Sequence, residues 1–523
     1  MTKKEAQQRR QLAFEIRNQA AMNEKRRELI IHKSNGDEEL YPNRIANYSK
    51  CLPHSQLGEV DKNAYDALLF AVRTNNFDDF DSIPLGGTKK LKGTMGGQSF
   101  SIQGPDSHAI AATPPPNFNS PELAAEMVEL YWMALLRDVP FADYETHPLV
   151  SEAAKDLSNM PGFRGFKDPK TSTVTPHTLF RSGYPGTMDG PIISQFLLHD
   201  YTFDGATVTQ KILMPIKDVD YLTSYDEWLA AQRGFPTGTE PVNEELEKKP
   251  RYIRNARDMG WVADASLLFT TYFKVVLFMF ALDPVALDDG NPYKRSRAQS
   301  PFTKFGLGHL ITLLGHVGPV PHAGVQKWLV HRFLRPEALS GRIHNHLTKA
   351  ATYPFHASLL SSKVLDKVFK YNERVNKKRN LGKGTYLLPQ EFSFGSPTHP
   401  SFPAGHGMAA GVGVTLLKSW FKEDFPLPDF LCVKPNRTGT ALEPYRAGID
   451  GPALTVGGEL NKLAHNITWG RNMSGVHFWH DGFEANRMGE ELAIRLLAEE
   501  GNTYAEPFEG FTLTKFDGTK IMV

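Results

Sequence analysis

Three segments in the C-terminal half of the chain combine cationic side chains or histidines with a helix boundary. In the first segment, KWLVHRFLRP, seven residues separate Lys327 from Arg335. Seven residues are about two helical turns, so the spacing predicts both side chains on one helix face, with Pro336 ending or bending that helix. Two cations on one face are suited to binding one anion.

The second segment, SPTHPSFPAGHGMAAGVGVTLL, is a proline-rich loop followed by an apolar run that predicts a helix beginning near Gly405 and His406. Free N–H groups and the positive end of the helix dipole favour an anion at a helix start. Gly405 would let the backbone approach that anion closely. His406 would be placed for proton transfer, because histidine changes charge near neutral pH.

The third segment, WGRNMSGVHFWHDGFEA, holds Arg471, His477 and Asp481. On a helix, Asp481 would lie one turn beyond His477. A carboxylate there could hold one ring nitrogen as N–H and leave the other nitrogen free to bond a metal or attack phosphorus. The segment therefore predicts either a ligand histidine or a nucleophilic histidine.

Each feature alone has an ordinary structural explanation. A Lys and Arg pair on a helix is commonly a solvated face, and a loop histidine is commonly hydrogen-bonded. Asp481 could form a helix salt bridge or cap, and Gly405 could be a turn glycine. Their occurrence together, in this order, favours a site for one tetrahedral oxyanion.

The three segments together resemble the signature of the vanadium-dependent haloperoxidases and of the type-2 phosphatidic acid phosphatases that share their site. Stretches outside the site, such as GPDSHAIA, RPEALSG and LTVGGELNKLAHNITWGRNMSGVHF, are similar to red-algal and cyanobacterial bromoperoxidases, so the resemblance covers nearly the whole chain. It implies a mainly α fold of paired four-helix bundles with minor β hairpins. It also implies bound vanadate, and hydrogen peroxide, halide and small organic nucleophiles as reaction partners.

The resemblance also implies a role for each site residue. His477 would supply the bond to vanadium, and His406 would be the acid–base group that takes protons from hydrogen peroxide. His399 would adjust His406, which favours bromide as the halide. The oxygens of vanadate would be bound by Lys327, Arg335, Arg471 and the Gly405 N–H, and Lys327 would also polarise the peroxide towards halide.

Three positions depart from the family pattern. Ala404 stands where the family usually has a serine that binds vanadate, which removes a hydrogen bond worth about 0.5–1.5 kcal/mol. Gly324 stands where better-known members have Trp or Arg, so we expect a wider or wetter halide pocket. The region that corresponds to the algal calcium loop, NPYKRSRAQSPFTKFG, is basic, and we expect no calcium there.

The rest of the chain predicts two parts: a helical arm and loops over 1–110, for assembly contacts, and a helical domain over 111–523 with its active-site core at about 251–500. The resemblance implies a homo-oligomer. A formal net charge of +1 argues against nucleic-acid or acidic-membrane partners. The most apolar stretch, SLLFTTYFKVVLFMFAL, contains Lys274 and predicts a buried helix rather than a membrane span. No secretory signal is recognisable, so we expect a cytoplasmic location.

Three alternatives stay open on sequence grounds. A soluble acid phosphatase would use the same cations, with His477 as nucleophile and His406 protonating the leaving group. A cofactor-free anion-binding scaffold or metal-free isomerase would explain Ala404 but not five costly polar groups. A zinc site at His477 and His480 lacks a third ligand at a suitable spacing.

Overall fold

The computed structural model describes residues 1–237, 246–282, 286–316 and 319–523, with side chains at all of these positions except 319 and 320. Helices dominate the described chain, so the predicted mainly α fold is confirmed. The α-helices are α1 (Lys3–Arg26), α2 (Asp37–Leu40), α3 (Lys62–Thr74), α4 (Phe77–Asp81), α5 (Pro121–Leu136), α6 (Pro148–Ser158), α7 (Tyr225–Arg233), α8 (Ala256–Ala265), α9 (Thr270–Leu282), α10 (Leu307–His316), α11 (Pro319–Gly324), α12 (Pro336–Leu347), α13 (Ala357–Ser361), α14 (Val364–Arg379), α15 (Gly405–Trp420), α16 (Val456–Met473) and α17 (Trp479–Gly501). A π-helix, Val325–His331, continues directly from α11.

The β structure consists of short antiparallel hairpins, as expected. They pair β1 (Tyr201–Phe203) with β2 (Ala206–Val208), β3 (Val433–Pro435) with β4 (Leu442–Pro444), and β5 (Thr512–Thr514) with β6 (Lys520–Met522). Two of the hairpins pack directly against helices: β1 contacts α9, and β5 contacts α15, with Leu513 buried in the main core.

Helices α15, α16 and α17 pack together at the centre of the main core, with α8 against α16. Every residue of α16 is buried, including its charged and amide side chains. Glycines bring α15 and α17 into close contact: a Cβ on Gly411 would lie 2.3 Å from the Asn486 carbonyl oxygen, and one on Gly489 would lie 2.2 Å from that of Met408. This contact fixes the start of α15 beside the start of α17.

The apolar stretch from Ser266 is not one helix. Ser266 caps the end of α8, Leu268 has a left-handed backbone with φ 50°, and α9 begins at Thr270. Of the described helices, none is by itself long and apolar enough to cross a membrane, although α8 and α9 meet that test as a pair bent by 96°. Only part of α9 is buried, including Tyr272 and Val276, so the expected buried helix is confirmed for one face.

The N-terminal region begins with α1, none of whose residues is buried. Farther along, Tyr48, Leu52, Tyr65 and Leu68 form a separate small core around Trp328 of the π-helix. The segment before residue 110 therefore packs directly against the helix that carries Lys327. The division at residue 110 stays a prediction.

Candidate functional site

Lys327 lies in the π-helix and is 6% exposed. Its Nζ donates to the carbonyl oxygens of Pro400 and Ser401, at 2.8 and 2.9 Å. Among the described residues, no carboxylate forms an ion pair with this ammonium group. Burial, and then the charge of Arg335, hold the pKa of Lys327 well below its usual value. A bound anion would relieve that cost.

The prediction that Lys327 and Arg335 share one helix face was wrong. The π-helix ends at His331, its C-cap residue Arg332 has a left-handed backbone with φ 38°, and Arg335 precedes α12 with an extended backbone. Pro336 begins α12, a position where its missing N–H costs no hydrogen bond. The chain reversal between the two helices, rather than helical periodicity, brings Arg335 back to the site.

Arg335 is 1% exposed and connects two histidines. Its Nη2 lies 2.9 Å from His399 Nδ1, and its Nη1 lies 3.1 Å from His477 Nε2. It also donates to the carbonyl oxygens of His399 and Val476. Burial lowers the pKa of Arg335 to about 10. Because a guanidinium can only donate, the lone pair of His477 lies on Nε2.

His477 and Asp481 are in contact, although His477 precedes α17 rather than lying within it. His477 Nδ1 donates to Asp481 Oδ2 at 2.9 Å, and the Phe478 N–H donates to the same oxygen at 3.0 Å. The Ser401 hydroxyl is a third donor to Oδ2. Burial opposes ionisation of Asp481, but the charge of His480 and the hydrogen bond from His477 keep its pKa well below the usual range.

The start of α15 faces open space, because a Cβ on Gly405 would meet no atom within 4 Å. Ala404 is the N-cap residue and supplies no side-chain hydrogen bond. Its own N–H donates to the Asp481 carbonyl oxygen at 3.0 Å, which ties this helix start to α17. The first N–H groups of α15 have no partner within the helix and are available to an anion.

Arg471 projects from α16 and forms an ion pair with Asp264 at the end of α8. It is buried, and its Nε has no hydrogen-bond partner among the described residues. His406, on the first turn of α15, is affected by both ends of this pair. Burial and the charge of Arg471 lower the pKa of His406 to about 3, against the opposing charge of Asp264. His406 is therefore neutral near pH 7 and able to accept a proton.

Several polar groups of the site were not predicted from the sequence. Ser401 lies inside the PSFPAGHG segment, and its position beside the proline-rich turn could have marked it. Asp264 and Glu126 lie in ordinary helices far away in sequence, where no local pattern indicates a function. His480 was considered only as a zinc ligand, whereas its Nδ1 lies 2.6 Å from Glu126 Oε2.

The donor set fits a tetrahedral oxyanion. Three buried cations, Lys327, Arg335 and Arg471, are only partly balanced, by the Asp264 carboxylate beside Arg471 and by Asp481 behind His477. The charges are close enough to couple: Lys327 lowers the pKa of His406 and of His399, and Arg335 lowers that of His477. A vanadate or phosphate ion would supply the missing negative charge and accept the unpaired N–H donors.

The space beside Gly324 is occupied by main chain, which contradicts a wider pocket at this position, while a wetter pocket stays a prediction. A Cβ on Gly324 would lie 3.0 Å from the Gly97 backbone nitrogen and 3.2 Å from its Cα. A short 3₁₀ turn, Met95–Gln98, supplies this backbone. The volume that a large side chain would occupy is filled here by main chain from the N-terminal region.

Known proteins are similar to this chain in both sequence and fold, although no protein-family model matches the chain. A vanadium-dependent bromoperoxidase from Ascophyllum nodosum is 36% identical over 495 residues, covering 91% of this chain and 86% of that protein. One from Corallina officinalis is 29% identical over 99% of both chains. The structure of a homohexameric second vanadate-dependent bromoperoxidase from Ascophyllum nodosum superposes with a TM-score of 0.90 and 32% identity, covering 98% of this chain and 90% of that one.

Proposed function

Because the chain belongs to the vanadium-dependent bromoperoxidase family, we propose that it oxidises halide, with bromide preferred, using bound vanadate and hydrogen peroxide. The product, hypohalous acid, would halogenate small organic nucleophiles. The observation that carries the proposal is the buried group of cations around His477 Nε2, in which Lys327 and Arg335 have hydrogen bonds to carbonyls and imidazoles. Such a group costs stability unless an anion binds it.

Lys327, Arg335, Arg471 and the Gly405 N–H would hold the oxygens of vanadate, and His477 Nε2 would bond the metal. When bound, vanadate supplies a high-valent Lewis acid that activates hydrogen peroxide for attack by halide. The fixed cations stabilise negative charge on the oxyanion and make the bound oxidant more electrophilic. Asp481 keeps the His477 proton on Nδ1, so the lone pair lies on Nε2, the nitrogen that would bond the metal.

His406 would move the protons. It is neutral in the vanadate-free protein, because burial and the charge of Arg471 disfavour the imidazolium form. A neutral imidazole at the start of α15 can accept a proton from hydrogen peroxide and give it back later in the reaction. His399 would tune the site through Arg335 Nη2, its contact at 2.9 Å.

The phosphatase alternative would use the same cations with His477 Nε2 as nucleophile. The named relatives are bromoperoxidases, and their sequences align with nearly the whole chain. This similarity favours the peroxidase. The cofactor-free scaffold has only Ala404 in its support. Both alternatives remain distinguishable from the proposal by assay.

We also propose that the chain forms a homo-oligomer through α1. No residue of α1 is buried, and Leu12 and Phe14 are exposed on it. The superposable relative is homohexameric. Light scattering after size exclusion should show an oligomer for the full chain and a smaller species when residues 1–26 are removed. The cytoplasmic location stays a prediction.

The test is a halide-dependent peroxidase assay after incubation with vanadate, with p-nitrophenyl phosphate hydrolysis measured in parallel. His477→Ala should lose bound vanadium and all halogenation. His465→Ala is the matched control, because His465 is equally buried but packs against Trp469 instead, with ring centroids 4.7 Å apart. Full activity and stoichiometric vanadium in His477→Ala would contradict the proposal.

A further inference from the structure

A row of buried charged side chains continues behind His477, away from the oxyanion site. Asp481 receives the His477 proton on Oδ2, while its Oδ1 lies 3.1 Å from His480 Nε2 in an ion pair. His480 Nδ1 lies 2.6 Å from Glu126 Oε2 on α5. The other Glu126 oxygen pairs with the guanidinium of Arg164. The row thus extends from α5 through the first turn of α17 to the proposed ligand histidine.

His480 lies between two carboxylates in otherwise apolar surroundings. Its ring packs against the rings of Phe333, Phe402 and Phe478, with centroids 5.1, 5.5 and 5.5 Å away. Burial disfavours its charged form, but the two carboxylates prevail and raise its pKa to about 9. His480 is therefore a fixed cation, unlike His477, whose pKa is lowered by burial and by Arg335.

The two oxygens of Asp481 have different surroundings. Oδ2 accepts from His477, Phe478 and Ser401, whereas Oδ1 has no hydrogen-bond partner among the described residues and faces the cation of His480. Without His480, a fully buried carboxylate oxygen would lack a balancing charge, which is a costly arrangement. The carboxylate would then rotate or withdraw, and His477 would lose the partner that fixes its proton.

Glu126 in turn fixes His480, because its carboxylate is held from both sides. Arg164, which pairs with it, lies over the Trp479 ring at 5.1 Å. Glu129, on the same helix, is buried to a similar extent, at 4% exposed against 2% for Glu126. Burial and the charge of Glu126 raise the pKa of Glu129 to about 8. Of these two equally buried glutamates, Glu126 is the one that contacts His480.

We propose that His480 and Glu126 are positioning residues that hold the Asp481 carboxylate in place and thereby keep His477 with its proton on Nδ1 and its lone pair on Nε2. The inference rests on the proposed function only in taking Nε2 as the atom that would bond vanadium. A merely structural ion network would stabilise the fold but would not affect the tautomer of His477.

The experiment measures the ¹⁵N resonances of the His477 ring in the vanadate-free protein, and then vanadate affinity by titration. The wild type should show an unprotonated Nε2. His480→Gln and Glu126→Gln should show a mixture of tautomers and bind vanadate about tenfold more weakly, the lower end of the effect known for partners of metal-ligating histidines. Glu126→Asp should restore most of the loss, and Glu129→Gln, the matched control, should match the wild type.

Wild-type tautomer and affinity in both His480→Gln and Glu126→Gln would overturn the inference. If His480→Gln does not fold, the three Glu126 and Glu129 variants decide it by the same two measurements. Failure of the wild type to bind vanadate would refute the proposed function, while the tautomer measurement would still decide the positioning role.

Discussion

Two groups of buried cations, Arg137 with Arg257 and Lys327 with Arg335, have opposite electrostatic surroundings. Arg137 and Arg257 share Asp220, and Arg257 also binds both oxygens of Asp138, at 2.6 and 2.7 Å. Although burial alone would lower it, Asp220 and Asp138 raise the pKa of Arg257 above its ordinary value. In contrast, burial lowers the pKa of Arg335 to about 10, although the charge of Asp481 opposes that shift.

The two groups differ in the source of the negative charge that balances them. In the Arg137 group, carboxylates within the chain complete the ion pairs, and the Tyr371 hydroxyl adds a hydrogen bond to Asp220. In the oxyanion site, Lys327 and Arg335 donate to carbonyl groups and neutral rings. The fold therefore provides the cations of a buried ion pair and leaves the anion to be supplied from solution.

The largest expected effect is on stability without vanadate. Arg257→Met should lower the free energy of unfolding by about 3–5 kcal/mol, because Asp220 and Asp138 would lose a buried partner. Lys327→Met should lower it by about 1 kcal/mol or less, or raise it, because the buried cation that is removed forms no ion pair with a described residue. Urea denaturation measures both. An equal loss in the two variants would mean that Lys327 has a structural role like that of Arg257.

Vanadate should stabilise only a chain with an intact oxyanion site. At a concentration about 100 times its Kd, a ligand that binds only the native state adds about 2.7 kcal/mol to the free energy of unfolding. We expect this gain in the wild type and in Arg257→Met, and its loss in Lys327→Met and Arg335→Met. Thermal unfolding with and without vanadate tests it, and a gain that persists in Lys327→Met would contradict the assignment.

Buried histidines should make the free energy of unfolding depend on pH. Burial lowers the pKa of His54, His331 and His465 to about 3, so below about pH 6.5 the unfolded chain binds protons that the native chain does not. Stability should fall with acid by about 1.4 kcal/mol per pH unit for each group. His480 has the opposite sign: its contribution is present below about pH 6.5 and is lost as pH rises through about 9.

Urea denaturation of the wild type and of His465→Phe between about pH 7 and about pH 5 measures this dependence. Averaged over this interval, the variant should lose about 1 kcal/mol per pH unit of acid sensitivity, approaching about 1.4 kcal/mol per unit at its acid end, because one buried neutral imidazole is removed. Equal slopes in the two proteins would show that His465 is not held neutral.

The smallest expected effect is at the start of α15. Ala404→Ser restores a hydroxyl beside the Gly405 N–H, and one neutral hydrogen bond worth about 0.5–1.5 kcal/mol should raise vanadate affinity about 2- to 12-fold. Vanadate titration of the two proteins measures it. Unchanged affinity would mean that the new hydroxyl caps the helix instead of binding the anion, and Ala404→Gly serves as the control without a hydroxyl.

Local patterns predicted the helical fold and the residue types of the site. Ser120 followed by Pro121 is a sequence pattern typical of a helix start, and at the start of α5 the Ser120 side chain accepts from the Leu123 N–H. The PAGHG segment predicted the start of α15 at Gly405. These predictions succeeded because helix caps depend on neighbours within one turn. The same reasoning failed for Lys327 and Arg335, because periodicity assumes an unbroken helix.

By itself, the sequence determined which groups could bind an oxyanion: Lys327, Arg335, Arg471, Gly405, His406 and His477, each beside a local helix signal. Only the tertiary structure decided which cations have no carboxylate partner among the described residues, that Glu126 reaches His480, and that the Gly97 backbone fills the space at Gly324. Charge compensation and close packing depend on distances between residues far apart in the chain. No local pattern encodes those distances, because they follow from how the whole set of helices packs.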